Sequence, residues 1–206
     1  SPSKKELNLL DLQYCEDYVK DLAPDILINL AAYTDVDKAE NDVSNAQKIN
    51  SLALKSFSDA LKNCGGHMIH ISTDYVFNGE QQTPYLTHHS RDPLGIYGKT
   101  KAEGELFIEK ILNKSNQFTI IRTSWLVSPW GKNFVKTIIK KLKEDQENLN
   151  VVSDQIGCIT TAKNLANLII ILIKNKLANK YLPSHLHWSS YGATNWYEIA
   201  KKIKEI

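Results

Sequence analysis

A tyrosine and a lysine four residues apart, Tyr97 and Lys101, are the residues of this sequence best suited to acid–base chemistry. Residues at this spacing share one face of an α-helix, so the phenol and the ammonium can converge on one point. A cation beside a phenol favours the phenolate and lowers the phenol pKa. The pair is therefore predicted to exchange a proton with a carbonyl near neutral pH, against the alternative of two side chains on a solvated helix face.

The elements that would position this pair predict a parallel sheet. A short apolar run at 26–30 is typical of a strand buried on both faces, and residues 7–12 are predicted as a short strand end. Further strands are predicted at 68–72 and 118–122, and helices at 13–22, 46–64 and 97–112. This alternation predicts an α/β fold, a Rossmann-like doubly wound parallel sheet with right-handed crossovers.

Small or polar residues follow each predicted strand. Residues 31–34, 73–75 and 123–125 come directly after the first, second and third of the apolar strands. Ligands of open parallel sheets bind beyond the carboxyl ends of the strands. These three segments and the helix that carries Tyr97 and Lys101 are therefore predicted to form one site.

The remainder of the chain has fewer predicted strands. Helices are predicted at 133–142, 161–174 and 195–206, the last with Asn195 as its N-cap. We therefore assign residues 1–130 to a partial dinucleotide-binding domain. Residues 131–206 are assigned to a mixed region that contributes to the sheet and to a small, incomplete substrate lobe, since a lobe beside a sheet makes a cleft.

Composition and residue spacing indicate which partners, locations and metal sites are to be expected. The formal net charge of +2 does not favour a nucleic-acid partner, and no apolar run is long enough for a membrane span. The three cysteines have no framework spacing, which favours reduced thiols in a cytoplasmic protein. No histidine, cysteine or carboxylate set has metal-ligand spacing, so no protein metal site is predicted, although surface carboxylates leave Mg²⁺ as a possible further cofactor.

Five motifs, in this order and spacing, resemble those of the dTDP-4-dehydrorhamnose reductases, which are extended short-chain dehydrogenases/reductases. The motifs lie at 29–40, 72–77, 97–101, 122–125 and 154–157. The resemblance implies reduction of the 4-keto group of dTDP-4-dehydro-L-rhamnose by NADPH or NADH, a step towards cell-surface polysaccharide. It covers nearly the whole chain.

The resemblance also implies a role for each matching residue. Tyr97 would be the general acid, Lys101 would lower the pKa of Tyr97 and bind the nicotinamide ribose, and Thr73 would hydrogen-bond the developing alkoxide. The residues implied to contact the sugar nucleotide are Asp74, Trp125 and, by looser analogy, Asn133. Those implied to contact the cofactor, besides Tyr97 and Lys101, are Asp11, Leu12, Ala31, Ala32, Tyr33, Thr34 and Ile71.

The sequence departs from the family pattern in three places. Tyr33 stands where a histidine is frequent, and Ile159 stands where a proline is usual. The family's glycine-rich turn for the cofactor pyrophosphate is absent from residues 1–206, and the chain is expected to begin inside the family's third strand and to stop before its final lobe segments. Loss of two strands would expose a sheet edge, so a homodimer is possible.

Two alternatives remain open at this point. The chain could be a different nucleotide-sugar enzyme of the same superfamily, such as a dehydratase or an epimerase. Dehydratases place an Asp-Glu pair after the threonine, whereas this sequence has Asp74-Tyr75, which favours reduction. The chain could instead be a non-catalytic relative, or an inactive truncated one, that acts as a binding or regulatory subunit.

Overall fold

The structure, a computed structural model, describes residues 1–113, 116–144 and 149–206. Its elements in chain order are α1 (Leu12–Leu22), β1 (Ile26–Asn29), α2 (Val36–Ala39), α3 (Val43–Gln47), a π-helix (Lys48–Leu52), α4 (Ala53–Cys64), β2 (His67–Thr73), a 3₁₀ turn (Asp74–Val76), α5 (Ile96–Leu112), β3 (Phe118–Thr123), β4 (Leu126–Val127), α6 (Phe134–Lys143), β5 (Ile156–Gly157), β6 (Thr160–Thr161), α7 (Ala162–Leu177), β7 (His185–His187), β8 (Thr194–Asn195) and α8 (Trp196–Lys204).

The chain divides into two units. Unit 1 comprises Ser1–Arg122 and Lys180–His187, and unit 2 comprises Thr123–Asn179 and Trp188–Ile206. The assignment of 1–130 to cofactor binding and of 131–206 to the substrate lobe stays a prediction.

Unit 1 is built on a sheet whose strands, among the described residues, run in the order β1-β2-β3-β7. β1 pairs with β2 and β3 pairs with β7, both in parallel. Parallel neighbours need a crossover, and the helices between the strands provide it. The predicted α/β fold with a parallel sheet is confirmed.

The core of unit 1 lies where α1, α4 and α5 pack on the sheet. Leu54, Phe57 and Leu61 recur at steps of three and four along α4 and are all buried. Gly65 ends the helix with a φ of 84°, the left-handed conformation that glycine adopts without steric cost. The predicted apolar stripe is confirmed, but the predicted single helix from residue 46 is interrupted by the π-helix.

Two further predictions about unit 1 are wrong. Residues 7–12 form turns and the start of α1 rather than a strand end, because the Asp11 side chain accepts the Tyr14 amide and caps the helix. β1 is not buried on both faces, since Ile28 is 40% exposed and Leu30, just after the strand, is 64% exposed. The physical reason is that β1 is the terminal strand of the four.

Unit 2 carries short strands and three longer helices, α6, α7 and α8. β4 pairs with β6 in parallel, and β5 pairs with β8 in antiparallel fashion. Each helix has a side-chain cap that accepts an amide of its first turn, from Asn133, Thr161 and Asn195 respectively. The three predicted helices and the Asn195 cap are confirmed, with bounds shifted by one to three residues. None of the helices in the described ranges is long and apolar enough to cross a membrane.

Candidate active site

Tyr97 and Thr73 come together where β2 ends and α5 begins. Tyr97 is the second residue of α5, and Thr73 is the last residue of β2. The Thr73 side chain lies close enough to the phenol to act on the pKa of Tyr97. The Thr73 hydroxyl also donates to Asp74 Oδ1 over 3.0 Å and accepts from the Tyr75 amide over 3.2 Å. The structure therefore brings together a phenol and a hydroxyl that the sequence placed in the catalytic set.

A glycine next to the tyrosine allows this close approach. A Cβ built on Gly98 would clash with the Tyr75 carbonyl oxygen and would lie 3.0 Å from the Pro93 side chain. The first turn of α5 can therefore pack directly on the backbone of the 3₁₀ turn that follows Thr73.

Burial dominates the electrostatics of the phenol. It raises the pKa of Tyr97 to about 12, the Thr73 side chain opposes this only in part, and the nearby Asp74 carboxylate adds to the rise. The pKa of Tyr97 is thus raised rather than lowered in this structure, and an effect of Lys101 on it stays a prediction. The ammonium is instead directed at two groups of β2.

Lys101 is a buried cation, only 1% exposed. Its Nζ donates to the Ile71 carbonyl over 2.7 Å and lies 3.1 Å from His70 Nε2. Burial lowers the pKa of Lys101 to about 8, and the carboxylate of Glu105, one turn further along α5, acts in the opposite direction. The side chain thus keeps its positive charge at neutral pH. Ile71 enters the site through its carbonyl oxygen.

Asp74 and Tyr75 complete the edge of the site in unit 1. Burial raises the pKa of Asp74, while hydrogen bonds from Thr73 and from the backbone amides of Asp74 and Tyr75 act against it. The Tyr75 ring meets the Tyr97 ring edge-on, with 5.6 Å between the centroids and 75° between the planes. Burial raises the pKa of Tyr75 as well, so it stays a neutral phenol.

The strand end after β1 is held by one buried side chain. Asn50, in the π-helix, accepts the Tyr33 amide over 2.8 Å and donates to the Tyr33 carbonyl over 3.1 Å. Its amide nitrogen also donates to the Thr100 hydroxyl over 3.1 Å. The segment 31–34 is thereby tied to α5 next to Lys101, while the Tyr33 hydroxyl donates to Asp42 over 3.0 Å.

Two of the residues implied to contact the cofactor, Asp11 and Leu12, lie at the start of α1. Asp11 is the N-cap of α1 and Leu12 is the first residue of that helix. The structure gives Asp11 a capping role, since its side chain accepts the Tyr14 amide. Contact of either residue with a cofactor stays a prediction.

In unit 2, Trp125 is part of an aromatic stack. Its ring lies 3.9 Å from that of Trp196 at 22°, and a Cβ built on Gly157 would lie 2.7 Å from the indole. Trp125 has a φ of 45°, a left-handed conformation rare for a bulky residue. Asn133 caps α6 and donates to the Ser128 carbonyl over 2.7 Å. Substrate contacts of Trp125 and Asn133 stay predictions.

Sequence reasoning missed His70, Asn29 and Asn50. His70 Nδ1 lies 3.1 Å from Asn29 Nδ2, and His70 Nε2 faces Lys101. The available signal was a polar residue inside an apolar strand or stripe, which must find a partner when buried. Within 1–113, 116–144 and 149–206, no group of three or more histidine, cysteine or acidic residues could hold a metal ion, and nothing supports a Mg²⁺ site.

Comparison with known proteins gives a consistent result. The model of the family described as "RmlD substrate binding domain" matches residues 1–206. The dTDP-4-dehydrorhamnose reductase of Sinorhizobium fredii is 36% identical over 187 residues, which cover 90% of this chain and 62% of that protein. The spore coat polysaccharide biosynthesis protein SpsK of Bacillus subtilis is 39% identical over 203 residues, which cover 98% of this chain and 68% of that protein.

A solved structure is similar over almost the whole chain. The dTDP-4-dehydrorhamnose reductase of Bacillus anthracis, in complex with NADP, superposes with a TM-score of 0.85 at 37% identity and covers 99% of this chain and 70% of its own. The chain thus spans about two thirds of the length of these relatives.

Proposed function

The chain belongs to the family of the RmlD substrate binding domain, and from this premise we propose that it acts in a dTDP-4-dehydrorhamnose reductase. The reaction is reduction of the 4-keto group of dTDP-4-dehydro-L-rhamnose by NAD(P)H to give dTDP-L-rhamnose. The observation that carries the proposal is that Thr73, at the end of β2, lies close to Tyr97 of α5, whose next turn carries the buried cation Lys101.

Tyr97 supplies the proton. With a pKa of about 12, its phenol is fully protonated at neutral pH and can donate from Oη to the substrate oxygen as negative charge develops there. Lys101, charged below a pH of about 8, favours the phenolate that this transfer leaves behind. A general acid that stays protonated and a cation that stabilises its conjugate base suit carbonyl reduction.

Thr73 stabilises the same oxygen. Its single hydroxyl proton is donated to Asp74 in this structure. On substrate binding the hydroxyl turns this proton from Asp74 towards the developing alkoxide. Asp74 then contacts the sugar. Substrate contacts of Trp125 and Asn133 are proposed from the resemblance of their motifs alone.

The residues present fit a nicotinamide cofactor. When bound, that group supplies the hydride that completes the reduction. The buried ammonium of Lys101 suits the ribose hydroxyls, and the small side chains of Ala31 and Ala32 leave the backbone after β1 open to a flat ligand. The other proposed contacts are Asp11, Leu12, Tyr33, Thr34 and Ile71. NADP in the Bacillus anthracis relative supports NAD(P)H as the class of cofactor.

The residue after Asp74 favours reduction over dehydration. Removal of water from the sugar needs a second acidic group next to Asp74, and this chain has the neutral phenol of Tyr75 there, packed on Tyr97. A cytoplasmic location and a homodimer stay predictions.

A nicotinamide-oxidation assay tests the proposed function. The full-length protein, mixed with dTDP-4-dehydrorhamnose and NADPH or NADH, is expected to consume the reduced cofactor, and Tyr97→Phe to lower kcat by at least about 100-fold because the proton donor is lost. Tyr181→Phe, which alters a phenol that is 78% exposed, is the matched control and keeps the wild-type rate. Absence of turnover together with absence of cofactor binding in calorimetry would contradict the proposal.

A further inference from the structure

Three buried polar side chains of unit 1 lie in a row, each within hydrogen-bonding distance of the next. Asn29 of β1, His70 of β2 and Lys101 of α5 are 6%, 1% and 1% exposed. Asn29 and His70 are partners in the parallel register of the two strands. The gap between the Asn29 amide and His70 Nδ1 is 3.1 Å, and the gap between His70 Nε2 and Lys101 Nζ is also 3.1 Å.

The chemistry of these groups fixes where the protons lie. An ammonium has three donors and no acceptor, so the His70 nitrogen that faces it must offer a lone pair. The imidazole proton then sits on Nδ1 and needs an acceptor. The Asn29 side-chain amide provides one when it is rotated by a half-turn, which exchanges the positions of its oxygen and nitrogen. Asn29 therefore selects the tautomer of His70, and that tautomer suits the charged lysine.

We propose that His70 is a positioning residue for Lys101: its Nε2 accepts one N–H of the ammonium and the Ile71 carbonyl accepts a second, so the direction of the third is fixed. The inference rests on the proposed function, since Lys101 is the cation of the proposed reductase site. Without His70, the ammonium would lose one of two anchors and part of the stabilisation of its charge.

The surroundings of the pair contain few other charges. Burial and the charge of Lys101 both hold the pKa of His70 well below its usual range, so the imidazole is neutral. The charged group that faces Lys101 from its own helix is Glu105, which is ion-paired with Arg122 of β3 and with Arg91. The group that β1 contributes, Asn29, is uncharged. His70 is therefore the neutral acceptor through which β2 acts on the ammonium.

The first test uses the wild-type protein. In ¹⁵N NMR of histidine-labelled full-length protein near pH 6.5, His70 is expected as the neutral tautomer with its proton on Nδ1. A proton on Nε2 while Lys101 is charged would overturn the proposal, because Nε2 could not then accept from the ammonium. This measurement needs neither turnover nor a variant.

The second test follows the ammonium itself. In lysine-labelled protein without cofactor, His70→Leu is expected to lower the pKa of Lys101 by about one unit, because a hydrogen bond that favours the charged form is lost. In His70→Gln, the amide oxygen can accept the same hydrogen bond, so the pKa of Lys101 is expected to stay close to the wild-type value. His67→Leu is the matched control, since His67 lies on the same strand, is equally buried, and pairs with Thr119.

The outcomes separate this inference from the proposed function. A Lys101 pKa that is equal in wild type, His70→Leu and His67→Leu would overturn the positioning role even if turnover is normal. In the assay, the high-pH limb of kcat/KM is expected to move down by about one unit in His70→Leu and to stay in place in His70→Gln. If the His70 tautomer and the Lys101 pKa behave as expected but the protein does not reduce the ketone, the positioning role is supported and the reductase proposal is contradicted.

Discussion

Tyr97 and Lys101 lie one turn apart on α5, and burial drives both towards their neutral forms. The pKa of the phenol rises to about 12 and that of the ammonium falls to about 8. Because the lysine starts from a higher value, a window remains at neutral pH in which the acid is protonated and the cation is charged. Spacing alone predicted that the two residues share a face, but the direction of the phenol shift depends on burial that the sequence does not display.

A carboxylate further along α5 should dominate the response of unit 1 to acid. Arg91 and His185 pair with Glu109 and hold the pKa of its carboxyl at about 2, against 4.5 for the free group. A depressed folded-state pKa contributes stability above about pH 4.5, which is lost as the pH falls through about 2. At pH 3 the unfolded form is protonated while the folded form is still mostly charged.

Glu109→Gln therefore should make unfolding less dependent on pH. The difference in the free energy of unfolding between wild type and variant is expected to shrink by about 2 kcal/mol from pH 7 to pH 3 in urea titrations. Glu103→Gln, on the same helix, serves as the control and should follow the wild-type pH dependence. A pH-independent difference between wild type and Glu109→Gln would show that the carboxylate does not act through its ionisation.

At the scale of elements, the π-helix between α3 and α4 places Asn50 where it bridges a loop and a helix. Asn50→Ala leaves the amide and carbonyl of Tyr33 and the Thr100 hydroxyl without this partner. We expect a loss of about 2 kcal/mol in the free energy of unfolding, and weaker NAD(P)H binding because segment 31–34 is released. Calorimetry and urea unfolding measure the two effects.

A second asparagine provides the matched comparison for this substitution. Asn63, exposed near the end of α4, donates its side-chain amide to the Asp59 backbone carbonyl over 3.1 Å. Asn63→Ala should change neither cofactor affinity nor stability by more than about 0.5 kcal/mol. Equal effects of the two substitutions would contradict the bridging role of Asn50.

The elements themselves were largely predictable. The apolar run of β2 and the stripe of α4 depend on local periodicity. β2 lies within one residue of its predicted bounds, and α4 ends at the predicted Cys64 but begins at Ala53 rather than at residue 46. What periodicity could not reveal are partners distant in sequence. His70 and Lys101 are 31 residues apart, and Asn50 and Thr100 are 50 apart, so only the packed fold brings them together.

At the scale of the whole molecule, the two units differ in how deeply they bury their side chains. Many apolar side chains of unit 1 are 0% exposed, whereas those that unit 2 buries, such as Ile138, Leu165 and Leu168, keep 4–9% exposure. Stability scales with apolar burial, so unit 2 is expected to be the weaker of the two.

The tryptophans make this difference measurable. All four of them, Trp125, Trp130, Trp188 and Trp196, belong to unit 2. In a urea titration of the full-length protein, tryptophan fluorescence is expected to change at a lower midpoint than far-UV circular dichroism, which follows the helices of both units. Superimposable curves would instead indicate one cooperative transition.

Gly98 limits how the site could change to accept a different ketone. The helix that carries the phenol and the turn that carries the Asp74 carboxylate can approach this closely because residue 98 has no side chain. Any side chain there would clash with the Tyr75 carbonyl. The backbone of α5 and of the turn therefore fixes the position of the proton donor relative to the bound ketone. Selection for bulkier or smaller ketones must then act on the walls of the site, because alanine, serine or any larger residue at this position would move the acid itself.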